Sequence, residues 1–88
     1  MSDTKTFTVE IAVDEHDDRT EAKASLQIGE EHRGGWGRAR RNPADPDRPR
    51  IGDELAIARA LNDLAHHLVD DVASQIEQAE HRSAHLHL

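Results

Sequence analysis

The sequence contains no cysteine, which excludes disulfide bonds, cysteine nucleophiles and cysteine-ligated metal sites. It is also poor in aromatic residues, with one Phe, one Trp and no Tyr among its 88 residues. Alanine therefore supplies much of the apolar content, and an alanine-rich core buries little apolar area per residue. Because a chain of this length has a thin core in any case, we expect a second copy to share the burial in a homodimer.

Long hydrophobic runs are missing as well. No segment approaches the roughly 18 consecutive apolar residues of a membrane-spanning helix, and no hydrophobic signal-peptide region follows Met1. We therefore expect a cytoplasmic protein that does not associate with membranes. The sequence also offers no catalytic motif and no cofactor-binding motif, so we expect neither enzymatic activity nor a cofactor.

The net charge of −7 is unevenly distributed along the chain. Residues 33–50 hold six arginines and two aspartates, which gives this arginine-rich segment a charge of +4. An acidic protein is a poor non-specific ligand for nucleic acids, and DNA is not an expected partner. Guanidinium groups nevertheless form bidentate contacts with phosphate, so the segment is the best electrostatic candidate for a binding site.

Alternating apolar and polar residues predict two β-strands near the start of the chain, over residues 7–13 and 20–28. The polar residues 14–18 between them predict a hairpin turn. A third strand is expected over residues 33–41, where three glycines surround Trp36. Glycines within a strand often mark the close approach of another backbone or a ligand, although a twisted edge strand explains them more simply.

The pattern of residues 51–80 predicts a long amphipathic helix, because apolar residues recur at steps of three and four. We expect the sheet to cover this apolar stripe, with Leu61 and Leu68 at its centre. Gly52 or Asp53 is expected to cap the start of the helix. The members of the stripe are Leu55, Ala58, Leu61, Ala65, Leu68, Val72, Ile76 and Ala79, and Ile57, Leu64 and Val69 widen it.

Together these elements predict one α+β domain over residues 1–88, with flexible ends at residues 1–4 and 81–88. Three antiparallel strands form a meander, and one long C-terminal helix packs across its apolar face in a β-β-β-α order. Three prolines between residues 43 and 49 exclude regular structure there. Residues 42–49 are therefore expected to be a stiff crossover from the sheet to the helix.

Two motifs in the sequence resemble those of a known family. The first is G-W-G-R-A-R-R-N-P at residues 35–43, and the second is I-G-D-E-L-A at residues 51–56. The chain resembles, over nearly its whole length, small actinobacterial proteins of unknown function. These are conserved mycobacterial stress and dormancy proteins whose fold is described as double-stranded-RNA-binding-domain-like.

The resemblance implies a dimeric, cytoplasmic β-β-β-α protein that has no established enzymatic activity. It also implies such a domain without the N-terminal helix that RNA-binding members normally have. The topology is similar to the second half of ribosome hibernation factors, which suggests association with the ribosome or with RNA.

Two hypotheses for the function follow. In the first, the protein binds RNA or the ribosome through a site formed by Arg33, Trp36, Arg38, Arg40, Arg41, Arg48 and Arg50. In the second, the arginines pair with acidic residues outside the segment, and the protein is a dimeric protein–protein interaction module without nucleic acid. The predicted dimer interface comprises Phe7, Val9, Leu61, Leu68 and Val72.

Two metal sites are weaker alternatives. Two His–Asp pairs lie four residues apart, a spacing that suits zinc but also suits an ordinary solvated helix face. The pairs are His66 with Asp70 and His67 with Asp71. The acidic residues 14–18 resemble part of a calcium loop, but they lack its glycine and its distal glutamate. We therefore expect no metal site.

Overall fold

The computed structural model describes residues 2–41 and 48–86, with side chains through His81. Three strands, β1 (Val9–Glu15), β2 (Arg19–Ile28) and β3 (Glu31–Arg40), precede the long helix α1 (Pro49–Leu86). The strands form one antiparallel sheet in the order β1-β2-β3. The helix packs mainly on β3 and β2 and barely touches β1. The predicted α+β fold, with its β-β-β-α order, is therefore confirmed.

Two short turns connect the strands. The backbone N–H of His16 donates to the carbonyl oxygen of Arg19 at 2.8 Å and closes the turn between β1 and β2. Gly29 and Glu30 alone connect β2 to β3. Gly29 has a φ of 60°, the left-handed conformation that glycine adopts at the first central position of a type II′ turn. Because β2 lies in the middle of the sheet, β1 and β3 form its two edges.

The core lies between the sheet and a stripe of mostly small residues on the helix. Its buried side chains are Ala22, Ala24, Leu26 and Ala39 from the sheet and Ala56, Ala60 and Leu64 from the helix. The helix comes close to β3 because Gly35 and Gly37 face it without side chains. A Cβ at Gly35 would lie 2.8 Å from the Cα of Leu64. These two glycines of the edge strand therefore mark the close approach of another backbone, that of the helix.

The predicted apolar stripe of the helix is not the face that the sheet covers. Leu55, Leu61, Val72 and Ile76 are exposed, whereas Leu68 is partly buried against the core. The sheet presents glycine and alanine, and these fit a small-residue stripe at short distance. Larger side chains in place of Ala56 and Ala60 would hold the two backbones apart. The prediction of a covered leucine stripe is therefore wrong.

The helix begins earlier than predicted, at Pro49. The fixed φ of proline suits the first helical position, where its missing N–H costs nothing. The backbone N–H groups of Ile51 and Gly52 already donate to the carbonyl oxygen of Arg48, at 3.0 and 3.4 Å. The predicted cap at Gly52 or Asp53 is therefore wrong.

The helix also ends later than predicted, because its backbone continues to Leu86 rather than stopping near residue 80. The crossover predicted before the helix falls mainly on residues 42–47, which lie outside the described residues. No helix within residues 2–41 and 48–86 combines the length and apolar character that crossing a membrane requires.

Candidate nucleic-acid interface

The face of the sheet that points away from the helix carries the arginines of β3. Side chains alternate between the two faces of a strand. Gly35 and Gly37 face the helix, so Trp36, Arg38 and Arg40 lie on the opposite face. We call this the outer sheet face; its members on β2 and β3 are Arg19, Glu21, Lys23, Trp36, Arg38 and Arg40.

An exposed tryptophan stands in the middle of the outer sheet face. Trp36 is 43% exposed, and the guanidinium carbon of Arg38 lies 5.2 Å from the centroid of its ring. Lys23 is the direct neighbour of Trp36 on β2. A guanidinium stacked on an aromatic ring presents flat surfaces for bases and positive charge for phosphates at the same place.

The acidic residue next to Arg38 on β2 is already engaged. Glu21, opposite Arg38 in the strand register, accepts a hydrogen bond from Nε of Arg19 at 3.0 Å. That bond lowers the pKa of the Glu21 carboxyl, and the charges of Arg19, His16 and Arg38 act in the same direction. Within the described part of the chain, no carboxylate forms an ion pair with Arg38, Arg40 or Lys23. These cations are therefore available to a ligand.

Arg33 does not belong to the outer sheet face, although the sequence groups it with the other arginines. It lies on the helix side of β3, where its Nη2 donates to Oδ1 of Asp71 at 2.9 Å and its Nη1 to Oε2 of Glu31 at 3.2 Å. The hydrogen bond from Arg33 lowers the pKa of Asp71. Arg33 therefore ties β3 to the helix and supports the fold.

Arg40 connects the outer sheet face to an open cavity at the start of the helix. The cavity has a volume of about 900 Å³ and lies among the β1–β2 turn, the end of β3 and the first turn of α1. Its basic lining residues are Arg19, Arg40, Arg41 and Arg48. Arg50 is exposed on the first helical turn and is not part of the lining. Guanidinium groups beside a helix N-terminus provide a favourable environment for phosphate.

The predicted zinc pair His67 and Asp71 makes other contacts. Nδ1 of His67 lies 2.7 Å from the carbonyl oxygen of Gly34, and Asp71 accepts hydrogen bonds from Arg33 and Gln75. Both side chains therefore connect the helix to β3. Among residues 2–41 and 48–81, no group of three or more His, Asp or Glu side chains could hold a metal ion.

Four of the five predicted dimer-interface residues are exposed in the single chain. Phe7, Val9, Leu61 and Val72 face solvent, and Leu68 is partly buried. The sequence did not identify Lys23 and Arg19 as part of the interface with Trp36. Neighbours across strands depend on the register, and the register of β2 with β3 is set by the two-residue turn of Gly29 and Glu30.

The chain is similar over most of its length to uncharacterized mycobacterial proteins. The family model described as Rv2632c-like matches residues 5–85. Uncharacterized protein Mb1767 of Mycobacterium bovis is 46% identical over 80 residues, which cover 91% of this chain and 85% of the relative. Uncharacterized protein Rv2632c of Mycobacterium tuberculosis is 47% identical over 78 residues, covering 89% and 84%. The crystal structure of Rv2632c matches with a TM-score of 0.84 at 46% identity, covering 91% of this chain and 95% of that one.

Proposed function

Because this chain belongs to the Rv2632c-like family, whose relatives above are uncharacterized, we propose a function from the geometry of its own interface. The protein is a cytoplasmic binding protein without enzymatic activity, and it holds a single-stranded segment of RNA on its outer sheet face. RNA exposed on the ribosome is the ligand that we propose to test first.

The stacked pair of Trp36 and Arg38 is the observation that carries this proposal. One base stacks on the exposed Trp36–Arg38 pair, because single-stranded RNA is bound mainly through unstacked bases on aromatic and guanidinium planes. Lys23 and Arg40 flank the pair and contact the adjoining phosphates. The cavity at the helix start extends the positive surface beyond Arg40.

The acidic residues of β1 limit where the RNA lies. Glu10 and Asp14 share the outer side of the sheet by strand alternation, and Asp14 is paired in register with Glu21. Like charges repel the phosphate backbone, so the strand of RNA follows β3 and avoids β1. The interface is therefore narrow and matches one single strand better than a duplex.

The proposal is tested by fluorescence anisotropy with a labelled single-stranded RNA of about 12 nucleotides. Trp36→Ala should weaken binding by roughly 5- to 150-fold, since stacking on an aromatic side chain contributes about 1–3 kcal/mol per base. Replacing Arg38 and Arg40 together by Gln should weaken binding and lower its salt dependence by about one phosphate contact, that of Arg40. DNA of the same sequence measures the preference for RNA.

Lys5→Gln is the control for the loss of a surface charge outside the proposed interface, because Lys5 is exposed and lies ahead of β1 in the chain. All variants must keep the circular dichroism spectrum of the wild type. Absence of binding at low salt would refute the proposal, and so would equal binding by the wild type and the Arg38/Arg40 variant. Sedimentation with ribosomal particles in a sucrose gradient then tests the proposed ribosomal ligand.

The second candidate is a dimeric protein–protein interaction module that binds no nucleic acid. The observation in its favour is the set of large apolar side chains exposed on the helix, among them Leu61, Val69 and Ile76. Copurification separates the two candidates. RNA that elutes with the native protein and disappears with Trp36→Ala supports the first, whereas RNA-free dimers that do not bind the labelled oligonucleotide support the second.

A further inference from the structure

Side chains of the helix form hydrogen bonds with one edge of the sheet and not with the other, within the described residues. On β3, one backbone group of each of three alternate residues at the free edge forms a hydrogen bond with a side chain of the helix. His67 Nδ1–H donates to Gly34 O (2.7 Å), Trp36 N–H donates to Asp63 Oδ2 (2.9 Å), and Arg59 Nη1–H donates to Arg38 O (2.7 Å). A strand whose edge groups are occupied in this way cannot pair with another strand.

The edge of β1 has no such protection. The hydrogen bonds on β3 show that its residues on the outer sheet face direct their backbone N–H and C=O groups to the free edge of β3. The residues of β3 on the helix side therefore direct their backbone groups toward β2. Following the register across β2, the helix-side residues of β1 direct theirs to the opposite edge. These residues are Val9, Ile11 and Val13. No side chain among residues 2–41 and 48–81 forms a hydrogen bond with their backbone groups.

The side chains of the same three residues are apolar and uncovered. Val9, Ile11 and Val13 face the helix side of the sheet, opposite buried residues of β2, yet each is 37% exposed because the helix lies over β2 and β3. Leu61 is about half a turn from Asp63 around the helix, so it lies on the flank toward β1. The open edge therefore runs beside a continuous apolar surface.

We propose that the free edge of β1 pairs with β1 of a second copy, antiparallel about a twofold axis at Ile11. The two sheets of three strands become one sheet of six, with both helices on the same face. This assigns a surface to the predicted homodimer and does not depend on RNA binding. It also places both Trp36 side chains on one flat outer surface, about 24 Å apart at five strand spacings.

A second copy fits this edge because the sequence of β1 is complementary to itself in this register. On the helix side, Val9 of one copy lies opposite Val13 of the other, and Ile11 lies opposite Ile11. On the outer side, Glu10 lies opposite Ala12. Shifting the centre to Glu10 would place Glu10 opposite itself, and shifting it to Ala12 would place Glu10 opposite Asp14. Directly opposed like charges destabilise a strand pair, so the charges select the register centred at Ile11.

The first test is the mass and the amide exchange of the wild type. Analytical ultracentrifugation at low micromolar concentration should give about twice the chain mass of 9.8 kDa. In the dimer, hydrogen exchange followed by NMR should be slow both at Ala12, which bonds to β2, and at Ile11, which bonds only across the proposed interface. A dimer in which Ala12 is protected and Ile11 exchanges freely would overturn the proposal, as would a monomer at this concentration.

Two variants of β1 complete the test. Ile11→Pro removes an N–H that points away from β2, so it spares the hydrogen bonds of the single chain and removes two across the twofold interface, one from each copy. Val13→Lys places a charge on the same edge strand. Val69→Lys is the matched control, because Val69 lies on the helix and its side chain is 67% exposed. Both β1 variants should halve the measured mass while Val69→Lys leaves it unchanged. The reverse pattern would assign the dimer to the helix and refute the β1 interface.

Discussion

Replacing Gly37 by alanine should destabilise the fold strongly, although the change adds only a methyl group. A Cβ at Gly37 would lie 2.8 Å from the carbonyl carbon of Arg59 and closer still to backbone atoms of Ala56 and Ala60. The overlap is with the helix backbone, so no rotamer change can relieve it. The helix must move away from β3, and the core alanines then lose contact with the sheet.

The size of the effect follows from the nature of the clash. Overpacking a core typically costs about 1–3 kcal/mol, and we expect the upper half of that range because backbone must move rather than a side chain. For a domain of this size, a loss of about 2–3 kcal/mol lowers Tm by roughly 8–24 °C. Thermal melting followed by circular dichroism at one fixed protein concentration measures the shift.

Gly34→Ala is the matched control on the same strand. Its Cβ would meet only the carbonyl oxygen of Ala24, at the ordinary contact distance of 3.6 Å. Alanine is also favoured over glycine within a strand, so Gly34→Ala should leave Tm unchanged or raise it slightly. A Gly37→Ala protein that melts like the wild type would refute the close-packing argument, and equal losses at both positions would attribute them to glycine replacement in general.

Two further substitutions test the core and its connection to the sheet. Leu64→Ala should cost about 2–5 kcal/mol in urea denaturation because Leu64 is buried, whereas Leu61→Ala should cost well under half as much within one chain because Leu61 is 40% exposed. Equal costs would show that both leucines are covered. Asp71→Asn should lower Tm near neutral pH, because Arg33 holds the pKa of Asp71 below its ordinary value near 3.8. A depressed carboxyl pKa stabilises above the unfolded-state value and ceases to do so as pH falls through the folded-state value. The Tm difference should therefore begin to shrink as pH falls below about 4 and vanish once pH is below the lowered folded-state pKa, and a difference that stays constant as pH falls through this range would contradict the linkage.

The strands were predictable because alternation survives in their sequences. The predicted second strand matches β2 within one residue. Its alternation predicts Ala22, Ala24, Leu26 and Ile28 on the covered face, which is confirmed for the first three by their burial but not for Ile28, which is 40% exposed. The first strand was placed two residues too early, since β1 continues through Asp14 and Glu15 before the turn. Polar residues at the end of an edge strand look like a turn when nothing indicates where pairing stops.

The helix face was not predictable from hydrophobicity alone. The helix carries two apolar stripes, and the stripe with larger side chains has the stronger pattern. The sheet selects the other one because two glycines of β3 and the alanines of β2 leave room only for a closely packed helix. Ala56 and Ala60 provide the close approach, whereas Ala58 and Ala65 of the predicted stripe are exposed. Matching small residues on the strands to small residues at steps of four on the helix would have identified the correct face.

The members of the arginine-rich segment had to be sorted by parity along the strand. Arg38 and Arg40 have even positions on β3 and share the outer sheet face with Trp36, whereas Arg33 has an odd position and bonds to Asp71. The sequence motifs beginning at Gly35 and Ile51 also indicated a small actinobacterial family of unknown function, and the match to the Rv2632c-like family supports that identification.

Protection of the β3 edge and positioning of the outer sheet face depend on the same hydrogen bonds. Trp36 and Arg38 have side chains on the outer sheet face and backbone groups at the free edge, where Asp63 and Arg59 bind them. The helix therefore prevents another strand from pairing with β3 and holds the backbone of the stacked pair in place. On β1 the relation is reversed, because the residues with free backbone groups have apolar side chains on the helix side. A strand added at β1 would therefore bury apolar surface without covering Trp36, so association at that edge leaves the proposed RNA interface open.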